Sequence, residues 1–237
     1  MNNETIVLEW DSIFFSLRIA SITLYNENFT FLENCLVKYK KENFDLVYVF
    51  LNDGIILPSS IQHLFSSKLV DNKCIYSYTI PPHLGSHINN IHLFNGYAFQ
   101  LYDLAVQSGI YSRYNTDNNF QRGDFERLYK TWIEKSVDGT LADKVLVHKT
   151  GNVYSGLITL KQHNNEVSIG LIATDSSYRR KGVGSSLLDA AKSYAYTMNK
   201  TELNVATQAH NTEACSLYEK NSFVLKSKSL VYHIWLK

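Results

Sequence analysis

The sequence predicts an α/β chain of the α+β kind, in which a smaller N-terminal α/β domain (1–90) precedes a larger domain (91–237) of hairpin-linked strands and flanking helices. Three observations carry this. Up to about residue 82, apolar β-type runs alternate with amphipathic helical segments. After residue 96, two stretches of helical periodicity are followed by three strand-like runs joined through short polar turns. At Thr174–Leu188 a strand-like run passes through a glycine-bearing turn into a helix.

Taken in order, Ile6–Trp10 reads as a short strand, Asp11 or Ser12 holds a compact aromatic turn around Phe14 and Phe15, and Ile19–Leu24 is a second strand. Phe31–Lys41 carries Leu32, Cys35, Leu36 and Tyr39 on one face and lysines opposite, the pattern of an amphipathic helix. Leu46–Leu51 is a strand stopped by Asn52-Asp53-Gly54. Ser59-Ser60 cap a helix reaching Phe65, and Lys73–Ile80 is a strand broken by Pro81-Pro82. The proline pair and the looser His83–Asn90 segment set the domain boundary. His83, His87 and His92 are close in sequence, but the prolines oppose a helix that would align the first two and no carboxylate or cysteine joins them, so no metal site is expected.

In the larger domain, Tyr97, Leu101, Leu104 and Ala105 predict one helix over Gly96–Ser108 with Gly109 as its stop. Residues 110–121 read as a loop. Phe125, Leu128, Tyr129, Trp132, Ile133 and Val137 define a second helix ending at Asp138-Gly139. Lys144–His148, Val153–Lys161 and Val167–Ala173 follow as strands with hairpin turns between them. After the glycine turn and its helix come a strand at Leu203–Ala206, a helix at Thr212–Lys220, and two last strands within Phe223–Leu236 separated by a turn near Lys226–Ser229.

Composition narrows the function. Hydrophobic residues make up 45% and charged residues 19%, which excludes a disordered chain. A net charge of +1 with scattered basic residues leaves no footprint for nucleic acid or an acidic membrane. Three cysteines, Cys35, Cys74 and Cys215, lie far apart without metal spacing and read as reduced thiols. No apolar run approaches the ~18 residues of a spanning helix and the first residues lack a basic signal-peptide region, so a soluble, cytoplasmic protein is expected.

Chemistry concentrates in two places. Gly182 and Gly184 allow a tight turn that leaves backbone N–H groups bare at the positive end of a helix dipole, and Arg179, Arg180 and Lys181 stand on its lip. That is an anion cradle suited to a diphosphate. It lacks the Gly-x-x-x-x-Gly-Lys-Ser/Thr of a nucleotide-hydrolysing loop and the third glycine of a dinucleotide fingerprint. About thirty residues on, Asn211 suits a helix N-terminus, and Ala214 and Tyr218 share one helix face. Tyr218 can then reach a ligand between this helix and the strand before the cradle; from the residues alone, a core aromatic is the competing reading.

Arg179-x-x-Gly182-x-Gly184, followed by Asn211-x-x-Ala214-x-x-x-Tyr218 and Phe223, resembles the signature of the GNAT superfamily of N-acetyltransferases, and the layout of 92–237 follows that family's order. Ser222 departs from it, standing where the family usually has glycine. The resemblance implies a GNAT fold, a mixed, mostly antiparallel sheet flanked by helices, with acetyl-CoA as cosubstrate and no metal. It implies that backbone groups around Ile172, Ala173 and Thr174 bind the cosubstrate, that Arg179, Arg180, Lys181, Gly182, Val183 and Gly184 take its diphosphate, and that Asn211 contacts it. Tyr218 matches the family's general acid, a role open to a phenol with an ordinary pKa near ~10. The base stays open between Glu166, Asp175 and a water relay.

Leu8-Glu-Trp-Asp-Ser-x-Phe-Phe15, Ser112-Arg-Tyr114, Tyr129-x-x-Trp132-Ile-Glu134, Ser168-Ile-Gly-Leu-Ile172 and Val205-Ala-Thr-Gln208 are similar to GNAT members that acetylate a dTDP-linked amino-dideoxy sugar. This implies a nucleotide-sugar acceptor in polysaccharide biosynthesis and, by analogy, a homodimer. The loop between the first two helices of the larger domain would meet the acceptor, Arg113 pairing with its diphosphate and Tyr111 or Tyr114 stacking on a ring or base; a surface salt bridge is the alternative for Arg113. Another amine stays open, such as a protein N-terminus or a polyamine drawn by Asp117, Asp124 and Glu126, as does a non-catalytic acetyl-CoA-binding module.

Overall fold

The computed structural model describes residues 3–83 and 90–237. Its elements run β1 (Glu4–Val7), α1 (Glu9–Phe15), β2 (Ile19–Leu24), α2 (Phe29–Lys41), β3 (Leu46–Asn52), α3 (Ser59–Leu64), β4 (Ser66–Thr79), β5 (Ile91–Leu93), a 3-10 turn at Ala98–Leu101, α4 (Tyr102–Ser108), α5 (Arg113–Thr116), α6 (Asp124–Val137), β6 (Lys144–Thr150), β7 (Val153–Gln162), β8 (Glu166–Thr174), α7 (Val183–Thr197), β9 (Glu202–Gln208), α8 (Thr212–Lys220) and β10 (Val224–Trp235). The strands form one sheet in the order β1-β2-β3-β10-β4-β9-β8-β7-β6-β5. Among the described residues only β2–β3 and β8–β9 pair in parallel, so the sheet is mixed and mostly antiparallel, as predicted.

Period-two alternation gives each strand a residue set for each face. On one face Ile22, Val47, Val49 and Ile234 lie under Leu32, Leu36 and Ile61 of α2 and α3. The same face continues with Ile158, Val167, Leu203 and Val205 under Leu187, Leu188 and Tyr218 of α7 and α8. The opposite face buries Ile19, Leu46, Tyr48, Val147 and Leu171 against Phe15, Leu104, Tyr114, Leu128 and Ile133 of α1 and α4–α6.

The sheet does not stop at residue 90, where the sequence placed a domain boundary: β10 lies between β3 and β4, and β4 also pairs with β9. The expected linker residues 84–89, with His87, lie outside the described residues. The aromatic turn after β1 is a seven-residue helix, α1, tied down by Ser12, whose hydroxyl donates to Leu8 O at 2.7 Å and accepts from Ile19 N–H at 2.9 Å. Pro58, not a serine, stands at the start of α3, and no side chain caps it. The single helix expected over 96–108 is a 3-10 turn followed by α4. Its Gly109 is not left-handed; a Cβ there would come 2.1 Å from the Tyr129 ring, so glycine is required by close packing. The loop expected over 110–121 contains the short α5, and β5 was not anticipated.

The two last strands are one, β10. Its polar Lys226–Ser229 stretch stays in the ladder because β4 is fourteen residues long and keeps pairing with it, and the extra residue is absorbed in a bulge between Leu225 and Ser227. β1 ends at Val7, so Trp10, expected in the first strand, lies in α1, and β4 begins at Ser66, well before the Lys73 expected; the remaining strands and helices stand where the patterns placed them, within a few residues at their ends.

Candidate active site

β8 and β9 run parallel but pair only over Glu166–Ile169 and Glu202–Val205. Beyond these residues β8 continues to Thr174 against β7, and β9 to Gln208 against β4. The two strands part into a fork. A register shift of β7 against β8 between Ile158 and Leu160 bends β8, and there Thr159 Oγ1 takes the Leu171 N–H at 2.8 Å. Gly170 and Ala206, just past the apex, are exposed. Asp175 N–H donates to Ser155 O at 3.0 Å, so the alternation of an antiparallel ladder turns the amides of Ala173 and Asp175 toward β7 and those of Ile172 and Thr174 into the fork. Of the three predicted backbone contacts, two face the opening and Ala173 faces β7.

From Thr174 the chain makes a 3-10 turn at Ser176–Tyr178, where the Asp175 carboxylate accepts Ser177 N–H at 2.9 Å. It then enters α7 through Arg180 (φ 60°) and Gly182 (φ 82°). Gly182 is the N-cap and has no side chain to offer. The N–H groups of Val183, Gly184 and Ser185 therefore leave the first turn uncapped, and Ser186 N–H is the one that bonds back, to Gly182 O at 3.0 Å. A Cβ on Gly184 would lie 3.0 Å from Leu217 Cδ2, which is how closely this turn approaches α8. Arg179 is 3.6 Å from Glu213, Lys181 donates to Ser177 O at 3.1 Å, and Arg180 is exposed. Free N–H groups at the positive end of a fifteen-residue helix, with three exposed cations beside them, form a donor set that fits a diphosphate.

α8 starts at Asn211, whose side chain caps it by accepting Ala214 N–H at 3.2 Å. Two turns on, Tyr218 is 2% exposed, with ring centroids 5.6 Å from Tyr76 and 5.9 Å from Phe223. Burial pushes the Tyr218 phenol well above its ordinary range, so it keeps its proton at neutral pH. Ser222, in the position of the family's glycine, adopts φ 65°, the left-handed region that glycine enters without strain. The two carboxylates weighed as bases are engaged. Glu166 accepts Asn204 Nδ2 at 2.6 Å at the closed end of the fork, and Asp175 caps the turn above.

The opposite face carries a polar cluster that the sequence reading did not single out. Tyr48, Asp71, Lys73, Gln208 and His210 gather there with Asp11, Arg113 and Tyr114. The Arg113 guanidinium stands 4.8 Å from the Tyr48 ring centroid, 4.7 Å from that of Tyr114 and 5.5 Å from that of Phe50, and donates to the Tyr114 hydroxyl at 2.7 Å. It is an aromatic-caged cation, not half of a surface ion pair. The Tyr114 ring is stacked on Phe15 within the core. Asp71 is 6% exposed, and burial raises its carboxyl above the usual range while Arg113 opposes the shift. Among the described residues, Asp71 Oδ1, the Tyr48 hydroxyl and Arg113 Nε are buried without a hydrogen-bond partner. The signal that could have found them is Asp71-x-Lys73, two charges on one face of a central strand.

Asp117, weighed as an acceptor-side acid, is buried and accepts from His233 Nδ1 at 2.7 Å and Trp235 Nε1 at 3.0 Å, pinning the end of α5 to β10. Asp124 is paired with Arg127 at 2.7 Å. Among the described residues no three His, Cys, Asp or Glu side chains are grouped to hold a metal ion, and no helix is long and apolar enough to cross a membrane.

Residues 98–223 match the family model described as the acetyltransferase (GNAT) family. Over 95 residues the chain is 36% identical to the dTDP-fucosamine acetyltransferase of Escherichia coli O6:H1, covering 39% of each protein. Over 62 residues it is 37% identical to a streptothricin acetyltransferase of Escherichia coli, covering 26% of this chain and 36% of that one. The matched stretches thus span well under half the length of these relatives. The crystal structure of a GCN5-related N-acetyltransferase from Sphaerobacter thermophilus superposes with a TM-score of 0.64 at 14% identity, over 99% of this chain and 77% of that one, a likeness of fold.

Proposed function

Because the chain belongs to the acetyltransferase (GNAT) family, we propose that it transfers the acetyl group of acetyl-CoA to the primary amine of a nucleotide-linked amino-dideoxy sugar. The observation that supports the transfer reaction is the fork between β8 and β9, with the uncapped N-terminus of α7 near it; Tyr218 packs on Tyr76, which pairs with Val205 where the fork begins. The similarity to the dTDP-fucosamine acetyltransferase supports a sugar acceptor.

Acetyl-CoA supplies an activated acyl group. The N–H groups of Val183, Gly184 and Ser185, with Arg179, Arg180 and Lys181, hold its diphosphate, while the Ile172 and Thr174 amides line the arm of the fork. Asn211 fixes the start of α8 and so the place of Tyr218. Tyr218 keeps its proton until the thiolate leaves and then donates it. The amine gives up its proton through water, since Glu166 and Asp175 are both committed to hydrogen bonds. Arg113, held by Tyr114, meets the acceptor on the opposite face. Of the three acids weighed for a polyamine, Asp117 and Asp124 are spent inside the fold and Glu126 alone stays exposed, which disfavours that acceptor.

The test is thiol release from acetyl-CoA with dTDP-linked 4-amino-4,6-dideoxygalactose, its 3-amino and glucose-configured relatives, spermidine and a peptide N-terminus. Saturable release with one of the sugars is expected. Release with spermidine or the peptide alone would sink the sugar acceptor, and no release from any amine by protein that binds acetyl-CoA would sink the transferase.

A further inference from the structure

Beyond the fork, strand registers align two rows of residues on the face that carries α1 and α4–α6. In one, Gln208 of β9 is level with Lys73 of β4, Ser229 of β10 and Asn52 of β3. In the other, Asp71 of β4 is level with Val231 of β10, Phe50 of β3 and Thr23 of β2. With strands ~4.8 Å apart, the first row spans about 14 Å from the arm of the fork and the second reaches one strand further. The far end is open: Thr23, Phe50, Asn52 and Ser229 line a hollow of about 310 Å³.

The chemistry changes along this trough. At the fork side stands Gln208, and one strand in, on β4 with Lys73, is Asp71, whose buried Oδ1 has no hydrogen-bond partner among the described residues; both are acceptors for hydroxyl or ammonium hydrogens. On that strand and beside it are two cations, the half-buried Lys73 and the caged Arg113; Asp71 and Asp11 stand near Arg113, but the ion pairs among the described residues involve neither cation. A partly buried cation without a carboxylate in contact favours an anion from outside. At the far end the Phe50 ring borders the hollow among three small polar side chains. Polyol, dianion and flat ring is the order of parts in a sugar nucleotide laid out from its sugar end.

We propose that this trough holds the acceptor, its sugar beside Gln208 and Asp71, its diphosphate between Lys73 and Arg113, and its nucleoside in the hollow of Thr23, Phe50, Asn52 and Ser229. The N-terminal strands β2 and β3 thereby form the specificity half of the site. The assignment of the sugar end rests on the transferase reading; that of the nucleoside diphosphate rests on the trough alone.

The test uses nucleoside diphosphates, which carry no amine to acetylate. Full-length protein is titrated by calorimetry with dTDP, UDP, CDP and GDP. At least one binds, and Lys73→Ala and Thr23→Trp each weaken it by about tenfold or more, the loss of one charge-assisted contact or a blocked hollow. Acetyl-CoA affinity stays unchanged in both. Asn52→Trp, at an exposed position, fills the same hollow should Thr23→Trp not fold, and melting curves check both. No binding of any diphosphate by the wild type, or equal binding by the variants, overturns the proposal. Protein that acetylates an amine but binds no diphosphate fails this proposal and remains a transferase; protein that binds a diphosphate here but releases no thiol has the reverse outcome.

Discussion

The Arg179 guanidinium lies 3.6 Å from the Glu213 carboxylate, tying the lip of the anion cradle to the first turn of the helix that carries Tyr218. Both side chains are well exposed, so the pair contributes little to stability, ~0–1 kcal/mol, and is easily exchanged for a phosphate. Glu213→Gln is expected to lower the KM for acetyl-CoA about two- to threefold by releasing Arg179, and Arg179→Ala to raise it about tenfold. Initial rates at saturating acceptor check both; a raised KM in Glu213→Gln would mean the pair orients the cation for its ligand.

Tyr218→Phe should leave acetyl-CoA affinity unchanged and lower kcat by ~10²- to 10⁴-fold, the usual worth of a positioned general acid. Because burial raises the Tyr218 phenol, the wild-type pH–rate profile should show no fall from its ionisation below about pH 10. Equal kcat in wild type and Tyr218→Phe would remove Tyr218 from the chemistry.

Two glycines to alanine separate packing from backbone strain. At Gly109 a Cβ would sit 2.1 Å from the Tyr129 ring, and overpacking of this kind costs about 3 kcal/mol or more. At Gly123, φ 91°, a Cβ meets nothing within 4 Å, so the cost is the left-handed backbone alone, ~1–2 kcal/mol. Urea midpoints should place Gly109→Ala well below Gly123→Ala, with similar values refuting the packing argument.

Stability should fall on acidification in two stages. Burial, with Arg113 and Lys68 nearby, depresses the His233 imidazole from 6.5 to about 4, so between those values the unfolded chain binds the proton and the folded chain does not. The loss across that window is on the order of 3 kcal/mol at most. Asp117, held down to about 2 by hydrogen bonds from His233 and Trp235, loses its contribution as pH falls from 3.8. Urea midpoints measured from pH 7 to 4 should slope downward, and His233→Gln should flatten that slope.

Much of the fold was legible because its signals are local. The periodicity of Phe125–Val137 and the Asn211 cap each place a helix from neighbouring residues, and α6 and α8 lie there. What the sequence hid was decided by distant partners. Lys226–Ser229 reads as a turn until the length of β4 is known, and Asp11–Phe15 reads as a turn until Ser12 is seen bridging Leu8 and Ile19. The turn into α7 was readable because Gly182 marks it locally. Asp71, Lys73 and Tyr48 were not, because they meet Arg113 only through the alignment of β3, β10 and β4.

The position of β10 also orders events during synthesis. A ribosome that has delivered β3 and β4 has not yet made the strand that lies between them. Until residues 224–235 emerge, the facing edges of β3 and β4 are unpaired templates, and joining them closes loops of well over a hundred residues. The nascent chain thus carries two open edges through most of translation, the interval in which a chaperone that masks strand edges would matter most.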